Sequence, residues 1–361
     1  MPQIAMTRVD RAALREFVAE GFRKLGLSDE DAGIFADALM FSELRFHPGQ
    51  GQGVGRLLRY RERIGSGAVD PRAPFSVVKD GPALALVDAH NGIGTVAAAK
   101  AMRLAIGKAK AGGIGTVIVR NSTHYGSSAV HACQALDHGC IGIAYTNAGP
   151  EMAPWGGRDP VTGTNPWAIA APSDRGFPVV LDIALTTAGK GMMRWLSREG
   201  KPMPRDWALT PEGLETDDPD AAMAGALLGI GGHKGYGLAF MTEALTGILS
   251  GGGFGIVPYS DPAKMDVSHS FTAIDISWFM PLADYQRRMG EFIDMAKASR
   301  PRPGFSEILV PGELEANRIA AKSGVGVPLD DAVLADLQKL GADLGLTRKL
   351  DALGPWTGVS L

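Results

Sequence analysis

Apolar positions recur every three to four residues in RAALREFVAEGFRKLG (11–26) and in DEDAGIFADALMFSELR (29–45), which predicts two helices in the first 65 residues. The first stops at a glycine, and Ser28 followed by Asp31 reads as a capping box for the second. The pattern then changes. ALALVDAHNGIGT (83–95) reads as a strand and turn, and VAAAKAMRLAIGKAKAGG (96–113) as an alanine-rich helix with lysines in its last turn and a Gly-Gly stop. GTVIVRN (115–121), SSAVHACQALDHG (127–139) and CIGIAYTN (140–147) read as strand, helix and strand, a β-α-β unit near 115–147. Residues 148–181 are rich in Gly and Pro and read as a long functional loop ending in the strand FPVVLD. From 182 to 224 the chain is polar and turn-rich; GGHKGYG then opens the helix LAFMTEALTGILSGGG, and helices return after Glu313. The pattern predicts an α/β or mixed α+β fold.

Composition narrows the function classes. The 361 residues are 45% hydrophobic and 21% charged, enough for one large or two medium domains. Net charge is −3 with Lys and Arg scattered, so neither nucleic acid nor an anionic membrane surface is an expected partner. Two cysteines, no apolar signal core at the N-terminus and no apolar run of membrane-spanning length predict a cytoplasmic protein. No internal repeat or low-complexity tract is visible.

Four stretches hold candidate chemistry. GQGQGVG (49–55) resembles a dinucleotide fingerprint, but the third glycine would fall on Val54 or Arg56, and a helix rather than a strand precedes it. GIGGHKGYG (229–237) places Lys234 at a glycine-rich helix start, which attracts anions; the alternative is a solvated N-cap. His124 in NSTHYGSS sits between strand and helix, where a histidine can exchange a proton near neutral pH; the alternative is a turn histidine bonded to backbone. Arg56, Arg59 and Tyr60 in RLLRYRER fit a carboxylate clamp or a solvated helix face. His131, Cys133, His138 and Cys140 have zinc-binding chemistry, but two histidines seven apart on one helix are too far for adjacent ligands, and no metal is expected.

Taken together, APWGGRDPVTGTNPWAIAAP (153–172), VVLDIAL (179–185), GGHKGYGLAFMTEALTGILSG (231–251), VPGE (310–313), NSTHYG and QGVGRLLRY resemble the malate/L-lactate dehydrogenase family, which includes ureidoglycolate dehydrogenases, diketogulonate reductases and cyclic-imine reductases. The resemblance spans nearly the whole chain. It implies a non-Rossmann fold with a largely antiparallel central sheet, a homodimer, NAD or NADP as cofactor, and hydride transfer to or from C2 of a small 2-oxo, 2-hydroxy or 2-imino carboxylate. We expect a helical N-terminal portion (1–75) joined by C-terminal helices (314–361), and a cofactor-binding, central-sheet domain (76–313) with 182–224 as an inserted segment.

By position, the resemblance implies that Arg56 and Tyr60 bind substrate, with Thr164 and Asn165 shaping the nicotinamide pocket. Asp182, Ile183, Ala184, Leu185 and Thr186 would line the cofactor, Asp182 also being a catalytic candidate. His233, Lys234 and Gly235 would meet its phosphates or ribose, and Pro311, Gly312 and Glu313 would close over it. His124 corresponds to a proton acceptor of some members. The family normally reads DLRGxxSHGVxRL near residue 50, with an acid/base histidine where this chain has Gln52, and ELRFHPGQGQGV is two residues longer. The glycines thus mark a rebuilt substrate loop, with His47 as a candidate replacement acid. Further departures are Ala184-Leu185-Thr186 for A-T-S and Gly191-Met192 for Gly-Lys. Rival readings are imine reduction, non-redox chemistry, and a catalytically dead ligand-binding homologue.

Overall fold

The structure, a computed structural model, describes residues 4–357. Residues 1–3 and 358–361 of the expected terminal portions lie outside the described residues. Its strands are β1 (Met6–Val9), β2 (Ser76–Asp80), β3 (Leu84–Asp88), β4 (Ile114–Ser122), β5 (Cys140–Thr146), β6 (Trp167–Ala171), β7 (Val179–Ile183), β8 (Ala208–Leu209), β9 (Ala226–Leu227), β10 (Val267–Asp275), β11 (Val327–Asp330) and β12 (Ala352–Pro355). Seven of them form a central sheet in the order β2-β3-β4-β10-β5-β6-β7. Only β3 with β4 is parallel; every other neighbouring pair is antiparallel, so the sheet is largely antiparallel as expected.

The expected β-α-β unit is present but split. β4 and β5 run in the same direction and are joined by the helical segment 128–138, yet β10 lies between them and pairs with both. Two other expectations need correction. The run 148–181 is not one loop, because Trp167–Ala171 pairs with β5 and β7. The segment 182–224 folds into the helix Lys190–Glu199, the helix Pro219–Ala224 and strand β8, which pairs with β9. Met193 and Leu196 on the first helix pack with Ala222 on the second and Met203 between them. The polar composition hid this small apolar seam.

Local rules explain the rest. Ser28 caps Asp29–Arg45, its hydroxyl accepting from Asp31 N at 3.1 Å. Asp31 turns its carboxylate to Lys100 at 2.7 Å rather than back to the cap, so only half of the box forms. β5 alternates buried and half-buried residues along its length, as a strand with one packed face must. The helix Gly94–Gly112 covers that sheet through Ala98, Ala101, Ala105 and Ala109 against Val117, Val119, Ala144 and Ala273. Small side chains let it approach closely: a Cβ on Gly115 would sit 2.1 Å from Ala105 O, and the short helix Ser128–Ala132 is as close, since one on Gly142 would sit 2.0 Å from Ala132 O.

A second core joins the two ends of the chain. Phe22 stacks on Phe35 at 4.1 Å, and Phe35 meets Tyr60 edge-on at 4.7 Å. Leu334, Leu337 and Leu340 of the helix Asp331–Leu344 pack into the same cluster, while β1 pairs with both β11 and β12. None of the described helices is long and apolar enough to cross a membrane.

The close helix-sheet contact gives a test. Gly115→Ala should lower stability by about 1–3 kcal/mol, as overpacking does. Gly107 is exposed on the same helix, and a Cβ there would meet nothing within 4 Å, so Gly107→Ala should gain roughly 0.5–1 kcal/mol. Chemical denaturation of both variants checks this; equal effects would contradict the packing.

Candidate active site

The loop 46–55, the helix Arg56–Gly65, the β4–helix turn and the loops after β5 and β7 enclose a cleft of about 1000 Å³. Of the residues singled out from the sequence, His47, Gln52, Arg56, His124, Thr164, Asp182, Ile183, Ala184 and Thr186 line it. The opening GQGQGVG stretch shapes one wall. His47 is extended before Pro48, as a pre-proline residue should be, and caps the short 3-10 turn Pro48–Gln50 by accepting from Gly49 N at 3.0 Å. Its ring stands edge-on to Trp195 at 5.0 Å. Gly51 follows with φ +63, which releases its carbonyl to accept from Arg56 Nε at 2.9 Å. At Gly53 a Cβ would lie 1.8 Å from Glu43 Oε2, the oxygen that accepts from Val54 N at 2.8 Å. These glycines fold the loop around an arginine side chain and not into a phosphate cradle.

Arg56 and His124 meet in the cleft. Arg56 Nη1 lies 3.4 Å from His124 Nδ1, and Gly126 N donates to the same nitrogen at 3.0 Å. Both groups can only donate, so Nδ1 accepts and the neutral ring carries its proton on Nε2. Burial, then the charges of Arg56 and Arg63, hold the His124 pKa well below the ordinary histidine range. Burial also pushes the Arg56 guanidinium down to about 10, leaving it charged at neutral pH. No carboxylate among the described residues lies within 4.0 Å of Arg56, whereas Arg61 on the far side of the helix is paired with Asp343 at 3.0 Å.

Tyr60 stands behind this pair. It is 1% exposed, and its hydroxyl donates to His124 O at 2.8 Å, so it positions the histidine and does not reach the cleft. Asp182, at the end of β7, accepts from Ala129 N at 2.9 Å. Burial pushes its carboxyl up to about 7, against the opposing pull of Ala129 N–H and Arg45.

Other candidates lie elsewhere. Asn165 is fully buried with φ +36 and donates to Ala239 O at 3.0 Å and Glu243 Oε1 at 2.8 Å. Leu185 is buried beside Met152 and Ala239, and its N–H donates to Thr164 O at 2.8 Å. His233 and Lys234 stand at the start of the helix His233–Glu243, both exposed, with His233 edge-on to Trp155 at 5.7 Å. Gly235 packs beneath Ile230, which does line the cleft. Pro311 O accepts from Val180 N at 3.1 Å, placing Pro311, Gly312 and Glu313 along the edge of β7 and outside the cleft wall.

Sequence reasoning missed several cleft residues, three of which matter most below. Arg63 and Tyr259 line it, as does Glu151, whose carboxyl burial pushes up. Arg63 had a signal, since it lies seven positions after Arg56 on one helix; Glu151 and Tyr259 stand in irregular segments that no periodicity reads.

The cleft sets a positively charged arginine beside a neutral histidine, on a sheet that is not of Rossmann type. Residues 9–338 match the profile described as malate/L-lactate dehydrogenase, and the chain belongs to that family of oxidoreductases. It is 38% identical over 348 residues to a malate dehydrogenase of Pyrococcus horikoshii, covering 94% of this chain and 96% of that one. An L-sulfolactate dehydrogenase of Methanocaldococcus jannaschii is 34% identical over 92% of this chain and 96% of its own. The crystal structure of malate dehydrogenase from Entamoeba histolytica superposes with a TM-score of 0.91 at 29% identity, covering 94% and 99% of the two chains.

Asp182 supplies a pH test. Its folded pKa lies above the usual carboxylate value, so the stability of its protonated form is complete below about pH 4 and is lost as pH rises toward 7. Asp182→Asn keeps an acceptor for Ala129 N–H and stays neutral. The melting temperature of the variant should therefore gain on the parent between pH 4 and 7 and hold that gain above. A constant difference across this window would remove the buried carboxyl from the account.

Proposed function

We propose that the chain reduces a small 2-oxo acid, or oxidises the matching 2-hydroxy acid, with NAD or NADP as hydride carrier. The observation that carries this reading is Arg56 held beside His124 without a carboxylate partner. A charged guanidinium fixed by a backbone carbonyl is complementary to a substrate carboxylate, and its planar fork sets the orientation of C2. His124 then faces the substrate oxygen with Nε2–H, polarising the carbonyl and stabilising the alkoxide as charge develops. A carboxylate bound on Arg56 offsets the charge that lowers His124 basicity, so proton delivery from the ring becomes easier once substrate is in place.

The cleft fits a dinucleotide in volume, and Thr186 Oγ1 and Gln52 Oε1 line it buried and without a protein partner. Bound there, the nicotinamide would supply the hydride, with Thr164 and the Asp182–Thr186 strand end as its wall. Gln52 orients substrate through its amide in place of the family's histidine. Imine reduction is the second reading: a neutral ring and a glutamine suit a substrate nitrogen that arrives already protonated.

We also propose a cytoplasmic homodimer. Both cysteines are free, and the helix His233–Glu243 with its continuation exposes Leu238, Phe240, Met241, Ile248 and Leu249 as a contiguous apolar ridge that a second copy would cover.

Turnover of a panel of 2-oxo acids and cyclic imines with NADH and NADPH tests the reaction. His124→Ala should reduce kcat by roughly 10²–10⁴, and Arg56→Lys should raise KM at least about 10-fold because the fork is lost. His47→Ala should change little. Loss of turnover in His47→Ala with His124→Ala nearly silent would move the chemistry to the loop. Met241→Glu should shift the sedimentation coefficient from dimer to monomer; an unchanged value places the interface elsewhere.

A further inference from the structure

We propose that Arg63 and Tyr259 form a second anion subsite in the cleft, which holds the distal acidic group of a substrate carrying two; the proposal rests on the reading of Arg56 as the first carboxylate site. Arg56 and Arg63 are seven residues apart on the helix Arg56–Gly65, which returns both to the same face after two turns. Both line the cleft, and both charges act on the His124 ring. A ligand reacting at His124 therefore meets two guanidiniums.

Arg63 is built in. Its guanidinium carbon lies 5.6 Å from the Tyr60 ring centroid and 5.9 Å from that of Tyr259, so two aromatic rings hold it. The Tyr60 ring is itself fixed by the hydroxyl bond to His124 O. Arg63 Nη1 is buried with no hydrogen-bond partner, and no described carboxylate lies within 4.0 Å of the side chain. A buried donor without an acceptor is unfavourable, and an anion from the cleft satisfies it.

Tyr259 closes the subsite from the other side. It keeps φ +67, a conformation that an aromatic residue rarely adopts and that tends to persist where function needs it. Across from it, a Cβ on Gly149 would lie 2.8 Å from Tyr259 Cδ2, so glycine leaves room for the ring. Tyr259 lines the cleft and is 36% exposed, and a phenol is a neutral hydroxyl donor at working pH. Glu151 is the acidic group whose charge reaches Tyr259, and burial pushes its carboxyl up, so it opposes an anion less than an ordinary carboxylate does.

The same chemistry could be satisfied by a phosphate of the cofactor, and the experiment separates the two sources. Calorimetry compares succinate with butyrate on the wild-type chain, Arg63→Gln and Tyr259→Phe. Steady-state kinetics compare oxaloacetate with 2-oxobutyrate, and fluorescence titration measures NADH and NADPH binding. The wild type should favour the dianion in both pairs. In Arg63→Gln the dianion-to-monoanion ratio should fall roughly 10- to 100-fold, as for a lost charged hydrogen bond, and in Tyr259→Phe it should fall less. An unchanged ratio overturns the subsite, as does a loss confined to cofactor affinity. If neither 2-oxo acid turns over with either cofactor, the reaction proposed above fails, while the succinate-to-butyrate ratio still decides the subsite.

Discussion

The middle of the central sheet belongs to a strand that arrives late. β10 inserts between β4 and β5, about 120 residues after the latter ends. Its antiparallel pairing to both holds those two strands in the same direction, and the cleft loops leave from their adjacent ends. His269 on β10 fastens that end of the sheet: Nδ1 bonds Thr146 Oγ1 at 2.6 Å and Nε2 bonds Ser122 Oγ at 2.9 Å. Ser122 precedes the turn that presents His124, and Thr146 precedes the loop of Gly149 and Glu151. Burial holds the His269 pKa down at about 3, so this clamp remains uncharged across the physiological range. Because the pairing is so distant in sequence, loop closure must precede both ladders of β10, and the two halves of the sheet are joined only once that strand is in place.

On this frame the cleft is an electrostatic device. Positive groups collect on one wall, where Arg56, Arg59 and Arg63 share a helix and Arg194 faces them. Their acidic neighbours are weakened by burial: the carboxyls of Glu43, Glu151 and Asp182 are all raised. The balance favours an incoming anion over internal pairing. It also fixes the state of His124, which stays neutral through burial and positive neighbours and donates through Nε2. A single cause, an arginine without a carboxylate partner near a buried imidazole, thus sets both the positive potential of this wall and the ring's tautomer.

Much of this was legible in the sequence where interactions are local. The helices at 11–24 and 94–112, the Ser28 cap and the alternating strand at 140–146 follow from periodicity and side-chain chemistry alone. The spacing argument against a phosphate loop at 49–55 agrees with the backbone found there, and Arg56 and His124 do converge. What stayed hidden depends on distant partners. Nothing in VSHSFTAID announces that it belongs between β4 and β5. Trp167–Ala171 is hidden by the prolines and glycines before it, and Lys190–Glu199 by its polar face. Arg63 was visible in RLLRYRER, yet a helix face of arginines reads as solvated until the rings of Tyr60 and Tyr259 are known to enclose one of them.

An arginine that must receive a ligand's carboxylate has to be held without being neutralised. A protein carboxylate would fix it better but would occupy the site it is meant to offer. The structure uses the backbone instead: the Gly51 carbonyl takes Nε, Nη1 stands 3.4 Å from His124 Nδ1, and no described carboxylate takes either. Such a carbonyl must turn back toward the helix that follows, which calls for a residue at positive φ, and Gly51 supplies it without strain. Gly53 then lets Glu43 come in under the same loop to accept from Val54 N, and Lys322 holds the carbonyls of Glu43 and Leu44 from below at 2.8 and 3.1 Å. The glycines of GQGQGVG therefore aim a guanidinium through the backbone, and the carboxylate we propose for it would meet that side chain, where a phosphate loop offers its own N–H groups.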